Sequence, residues 1–191
     1  MEQAIEPGTA ELIAALDQAV AAGDATRVTA AVKRILSDQI RGGRLRLAER
    51  LCAPRPDTYA RRLLHRDPQR GYSAVVMTWG PGQGTMLHDH AGIWCVEGVV
   101  RGEMEILQYE LTAAPGDERY RFAPRGRVRA LAGSSGALIP PFEYHVLRNA
   151  LPDRPSVTLH VYGGDLERCS IFEPQSDGTH RRAERALAFH D

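Results

Sequence analysis

The chain has 191 residues, with 24 Lys+Arg against 24 Asp+Glu and a formal net charge of zero. That length suits one domain with a sizeable core, and the charge balance gives no pull toward nucleic acid or anionic lipid, so small neutral or zwitterionic partners are expected. No apolar run approaches the roughly 20 residues of a membrane-spanning helix, the start MEQAIEPGTAEL lacks the basic and apolar regions of a signal peptide, and Cys52, Cys95 and Cys169 show no paired spacing, so free thiols and a cytoplasmic location are expected.

Residues 9–41, TAELIAALDQAVAAGDATRVTAAVKRILSDQIR, are rich in Ala, Leu and Ile at helical spacing, and Thr9 and Asp24 stand where N-caps belong. The pattern predicts two helices broken near Gly23, the second stopped by Gly42-Gly43. The next stretch, CAPRPDTYARRLLHRDPQRG, reads as a transition, because its prolines and turn residues forbid one long element. From Tyr72 the texture changes to short β-type runs separated by Gly, Pro, Asp and Ser: YSAVVMTW, GIWCVEGVV, EMEILQYEL, RYRFA, RVRALA, GALIP, HVLRNA, SVTLHVYGG and CSIFEP. Such spacing predicts a mainly β fold, an antiparallel sandwich or barrel rather than an α/β sheet. The tail RRAERALAFHD suits either a last strand or a short helix. No internal repeat or low-complexity tract argues for a second domain, so 1–191 is expected to be one unit: a helical segment over 1–58 lying on a β-barrel over 59–191.

The chemistry concentrates in GTMLHDHAGIWCVEGVVRGEMEI (84–106). Period-two alternation sends His88 and His90 to one face and Leu87, Asp89 and Ala91 to the other. His145 follows the Pro-rich turn PPFEYH, and in SVTLHVY alternation groups Thr158, His160 and Tyr162 opposite Val157, Leu159 and Val161. Polar side chains on strands built for burial must be satisfied, and a metal satisfies several imidazoles at once. A His-x-His pair with a further histidine after a Gly/Pro turn therefore points to a metal site. His65, His180 and His190 stand alone and read as ordinary core or surface residues.

Gly82, His88, His90, position 95 and Gly102 fall at the intervals of the first cupin motif, G-x5-H-x-H-x4-E-x6-G, and Pro140, His145 and Asn149 fit the second, P-x-G-x2-H-x3-N, with Phe142 in place of glycine. The chain thus resembles a cupin, a small antiparallel β-barrel or jelly roll with its metal inside, here preceded by α-helices. The acidic slot of the first motif holds Cys95. Three neutral imidazoles without a carboxylate leave a divalent iron its full charge and open positions for an anionic substrate and dioxygen.

Within the cupins the sequence resembles the cysteine dioxygenases of the thiol dioxygenase family over roughly 55–190, on YARRL (59–63), WGPGQGTMLHDH (79–90), Cys95, HVLRN (145–149), TLHVY (158–162) and ERCSIF (167–172). The resemblance implies Fe(2+) held by His88, His90 and His145, a thioether between Cys95 and Tyr162, and a Thr158–His160–Tyr162 relay beside the substrate. It also implies that Tyr59 and Arg61 hold the substrate carboxylate, as a guanidinium does well through charge-assisted, bidentate hydrogen bonds. On composition alone Arg62 is an equal candidate. The sequence has Gly163-Gly164 where mammalian members have prolines. Trp79 and Trp94 read as core or pocket walls, and Cys52 and Cys169 carry no role.

The resemblance implies a monomeric enzyme that oxidises L-cysteine with O2 to cysteine sulfinate. One rival keeps the iron site and takes 3-mercaptopropionate, whose enzymes often have glutamine at the position of Arg61. A second is a non-catalytic metal-binding cupin, which would ordinarily close its site with a fourth ligand.

Overall fold

The computed structural model describes residues 6–21, 23–113 and 119–191. Two helices come first, α1 (Pro7–Val20) and α2 (Ala25–Arg41), and a short turn of helix, α3 (Glu49–Cys52), follows. The Asp24 side chain accepts a hydrogen bond from the Arg27 amide and caps α2, and Gly42 ends it. Thr9 is not an N-cap. Pro7, pre-set to helical φ, occupies the first turn, Glu6 is the capping position, and buried Thr9 donates its hydroxyl to the Arg46 carbonyl at 2.6 Å. Among the described residues no helix is long and apolar enough to cross a membrane.

The strands are β1 (Ala60–Asp67), β2 (Tyr72–Trp79), β3 (Leu87–His88), β4 (Cys95–Arg101), β5 (Glu103–Ala113), β6 (Arg119–Leu131), β7 (Ser135–Leu138), β8 (His145–Asn149), β9 (Ser156–Tyr162), β10 (Arg168–Pro174) and β11 (His180–Ala186). One sheet runs β1-β2-β9-β4-β7, and the others close on themselves in the order β10-β11-β6-β5-β8-β3. The described residues thus form one antiparallel β structure behind two helices.

Two features differ from the sequence reading, and a third, which it left open, is decided. The transition before Tyr72 contains α3 and β1. The latter is disguised by its charged sequence, ARRLLHRD, because Arg61 and Arg62 are buried with carbonyl partners rather than solvated. RYRFA and RVRALA form one strand, β6, which passes Pro124 at a register shift against β5 (Gln108↔Gly126, then Tyr109↔Pro124). A bulge tolerates proline there, and only the first residues of β6 pair on the other side, with β11. The tail is a strand as far as Ala186.

Alternation organises the core in two layers. Val157, Leu159 and Val161 of β9, with Tyr72, Ala74 and Val76 of β2 and Val96 of β4, pack against Leu12, Leu16, Val28, Val32 and Leu36 of the helices. Their neighbours point inward: Val75, Met77 and Trp79 of β2, Cys95 and Val99 of β4, and Tyr162 of β9. Both faces of this sheet are covered, which is why β2 and β9 are buried along their whole length. A residue's place in the period of two therefore decides whether it meets the helices or the interior.

Candidate metal centre

His88 on β3 and His145 on β8 are direct antiparallel partners. His90 lies just past β3 and still turns to the same side: its ring centroid is 5.3 Å from that of His88 and 5.0 Å from that of His145. The Nε2 atoms of His88 and His145 stand 3.2 Å apart, and one nitrogen from each of the three rings falls within 4.8 Å of the others. Asp89 faces away, as alternation requires. Its carboxylate accepts from the amides of Ala91 and Ser170, tying the His-x-His segment to β10.

Burial, reinforced by the neighbouring His90, pushes the pKa of His88 down to about 3. Burial first, then His88 and His90, holds His145 well below the usual histidine range. These two imidazoles are neutral and offer lone pairs. The outward nitrogens complete the pattern: Nδ1 of His88 donates to the Met86 carbonyl at 3.0 Å, and Nδ1 of His90 lies 3.5 Å from Glu143 Oε2. The Nε2 atoms of His88 and His145 are the ones that meet at the common point. An all-imidazole donor set, half-buried at His88 and buried at His90 and His145, fits a divalent transition metal.

Beside the triad, Cys95 and Tyr162 are cross-strand partners on β4 and β9. Both are buried, and burial raises both pKa values well above the ordinary range. His160 lies near both, with Nδ1 4.0 Å from Cys95 Sγ and its ring stacked on that of Tyr162 at 5.9 Å. Thr158 Oγ1 is 2.8 Å from His160 Nε2 and accepts from the Trp79 indole at 2.9 Å. Trp79 is thus more than a pocket wall. Since the indole can only donate, the Thr158 hydroxyl is free to give its own proton to His160 Nε2, which leaves the imidazole proton on Nδ1. No hydrogen bond joins His160 to Tyr162 among the described residues, so the chain runs Trp79–Thr158–His160.

Arg61 and Arg62 are separated by alternation. Arg62 turns toward the helical segment and donates to the carbonyls of Leu51 and Ala53. Arg61 turns inward, with its guanidinium donating to Leu166 O at 3.2 Å and Ala188 O at 3.5 Å. It lines a cavity of about 30 Å³ together with Tyr59, His88, His90, His160 and Tyr162. Two further residues of this wall were given no role on sequence grounds, Cys169 and Arg185, and Arg185 lies over the Tyr59 ring at 5.9 Å. Strand β11, which carries Arg185, was legible only as an undecided tail. His190 is held by Arg61, accepting from its amide at 3.1 Å.

Sequence reasoning also missed two buried acids. Glu143, two residues before His145, accepts from the His90 amide at 2.7 Å. Glu97, two residues after Cys95, lies 3.9 Å from His145 Nδ1 and 3.8 Å from His160 Nδ1, and burial pushes its pKa up to about 8. The interior therefore does contain carboxyl groups, although the acidic slot of the motif does not. Period-two counting from Cys95 and from His145 is the signal that would have found them.

A mainly β barrel with N-terminal helices and inward histidines at these intervals defines a cupin. The cysteine dioxygenase type I family model matches residues 10–175, and the chain belongs to that family. It is similar to cysteine dioxygenase type 1 of Homo sapiens, at 25% identity over 120 residues, covering 62% of this chain and 56% of the relative. The Danio rerio protein of the same name is 23% identical over 111 residues, covering 57% and 53%. The match thus spans little more than half the length of these relatives. Among solved structures, a protein with a double-stranded β-helix domain from Klebsiella pneumoniae aligns over 64% of this chain and 92% of its own, with a TM-score of 0.48 and 20% identity.

Proposed function

We propose that this protein is an iron(II)-dependent thiol dioxygenase that oxidises L-cysteine with O2 to cysteine sulfinate. The observation that carries this reading is the convergence of three imidazoles, with no acidic ligand among them, beside a small cavity that also presents a buried arginine and tyrosine. His88, His90 and His145 would hold the ferrous ion, which when bound supplies a site where thiolate and dioxygen meet.

This chain's own residues do the rest. Arg61 is held by two main-chain carbonyls, so its guanidinium is pre-oriented to take the substrate carboxylate at little entropic cost. The Tyr59 ring packs tilted against Trp79, with centroids 4.7 Å apart, and forms the adjoining wall. Tyr162, protonated at neutral pH, presents a hydroxyl that donates to negatively charged oxygen. Thr158 and Trp79 hold His160 in one orientation beside it. The cavity is small, and apolar side chains such as Met77 and Leu166 line part of it, which suits a small substrate. Cys95 and Tyr162, facing each other across β4 and β9, are the pair that would form the thioether.

The test is oxygen uptake by protein loaded anaerobically with iron(II), given L-cysteine or 3-mercaptopropionate. Faster turnover of cysteine supports the assignment. Preference for 3-mercaptopropionate keeps the iron site and overturns the substrate, and no uptake with either, at stoichiometric iron, overturns the activity.

A further inference from the structure

We propose that Glu97 is a positioning residue of the metal centre, its carboxylate holding His145 and His160 together through their Nδ1 atoms. The inference rests on the reading of the histidine triad as a metal site. Of the three triad Nδ1 atoms, that of His88 donates to the Met86 carbonyl, while those of His90 and His145 are buried without a hydrogen-bond partner, His90 at 3.5 Å from Glu143 Oε2 and His145 at 3.9 Å from Glu97 Oε1. Glu97 Oε2 is also buried without a partner and lies 3.8 Å from His160 Nδ1. That nitrogen carries the ring proton if Thr158 donates to Nε2. The two imidazole nitrogens thus face the two oxygens of one carboxyl group across gaps that close with a shift of roughly 1 Å, to the usual ~2.9 Å of an N–H···O bond.

The backbone puts Glu97 there. It pairs directly with His160 in the β4–β9 ladder and shares the inward face of Cys95. Its other flank borders a separate cavity of about 310 Å³, lined by Val99, Met104, Leu138 and Thr158 among others, so no close packing on that side fixes the side chain in place. A buried acid with no partner burdens a fold, and an aliphatic residue would suit this inward position of a strand covered on both faces. The arrangement makes sense once His145 is a ligand. A histidine bound to a metal through one nitrogen is oriented and made more basic by an acceptor on the other.

The test compares Glu97→Leu and Glu97→Gln with the unaltered chain in two measurements that need no thiol turnover: ferrous affinity, by anaerobic competition with a chromogenic chelator, and the thermal midpoint of the metal-free protein. Glu97→Leu is expected to melt at or above the unaltered protein when metal-free and to bind iron(II) roughly ten- to a hundred-fold more weakly. Glu97→Gln, which keeps one acceptor oxygen, falls between. Unchanged ferrous affinity in both variants overturns the proposal. So does a metal-free Glu97→Leu that melts far below the unaltered chain, because that outcome assigns Glu97 to the fold instead of the centre. An unaltered protein that binds iron but oxidises no thiol would refute the activity above while leaving this comparison intact.

Discussion

At the scale of single residues, the inside of this barrel is decided by parity. Arg61 and Arg62 are adjacent, alike and both buried, yet one guanidinium reaches the cavity beside the histidines and the other the carbonyls behind α3. Replacing each separates the roles. Arg61→Ala is expected to raise the KM for cysteine about ten- to a hundred-fold, from the ~1.5–3 kcal/mol of a hydrogen bond to a charged group, while Arg62→Ala lowers the melting temperature and leaves KM unchanged. Equal KM values in steady-state kinetics of the two variants would remove Arg61 from substrate binding. Alternation alone put His88 and His90 on one face, and the resemblance to the cupins and thiol dioxygenases added His145 to them. Glu97, Glu143 and Arg185 were not legible, since an isolated acid or arginine on a strand carries no motif, and its burial depends on which strands lie opposite.

At the scale of elements, the strands were legible where turn residues bound them and obscure where charge or proline interrupted the pattern. β1 was hidden because buried arginines look like solvated ones, and β6 was divided at Pro124 because a bulge cannot be read from composition. The end of β9 shows what the glycine pair achieves. The Gly163 amide donates to the Trp94 carbonyl at 2.9 Å, and a Cβ at this position would lie 2.3 Å from Trp94 Nε1. Trp94 therefore fills the space that a side chain would take. Gly163→Pro removes the donor and forces the indole to move, and is expected to cost about 1–3 kcal/mol in a denaturant titration. A variant as stable as the unaltered chain would show that Trp94 repacks freely. The same substitution disturbs the backbone directly after Tyr162, so it also tests how closely the Cys95–Tyr162 pair depends on that turn.

At the scale of the whole molecule, the helices and the barrel share one core: Leu12, Leu16, Val32 and Leu36 are fully buried against the outward face of β2, β4 and β9, whose inward face carries the site. A change among the helices is therefore transmitted to the strands that hold Cys95, His160 and Tyr162. Leu36→Ala is expected to destabilise the protein by about 2–5 kcal/mol through lost burial and the cavity left behind, with helix and sheet signals melting together. Separate transitions by circular dichroism and tryptophan fluorescence would mean that the helical segment is a detachable cover.

The central claim is that the histidine triad, with Arg61 and Tyr162 beside it, supports addition of both atoms of dioxygen to the sulfur of cysteine. Turnover of the iron(II)-loaded protein with L-cysteine under isotopically labelled dioxygen in ordinary water, followed by mass spectrometry of the product, tests it directly. The account predicts cysteine sulfinate with both sulfur-bound oxygens labelled. Cystine as the only product, or a sulfinate that draws an oxygen from water, would contradict it.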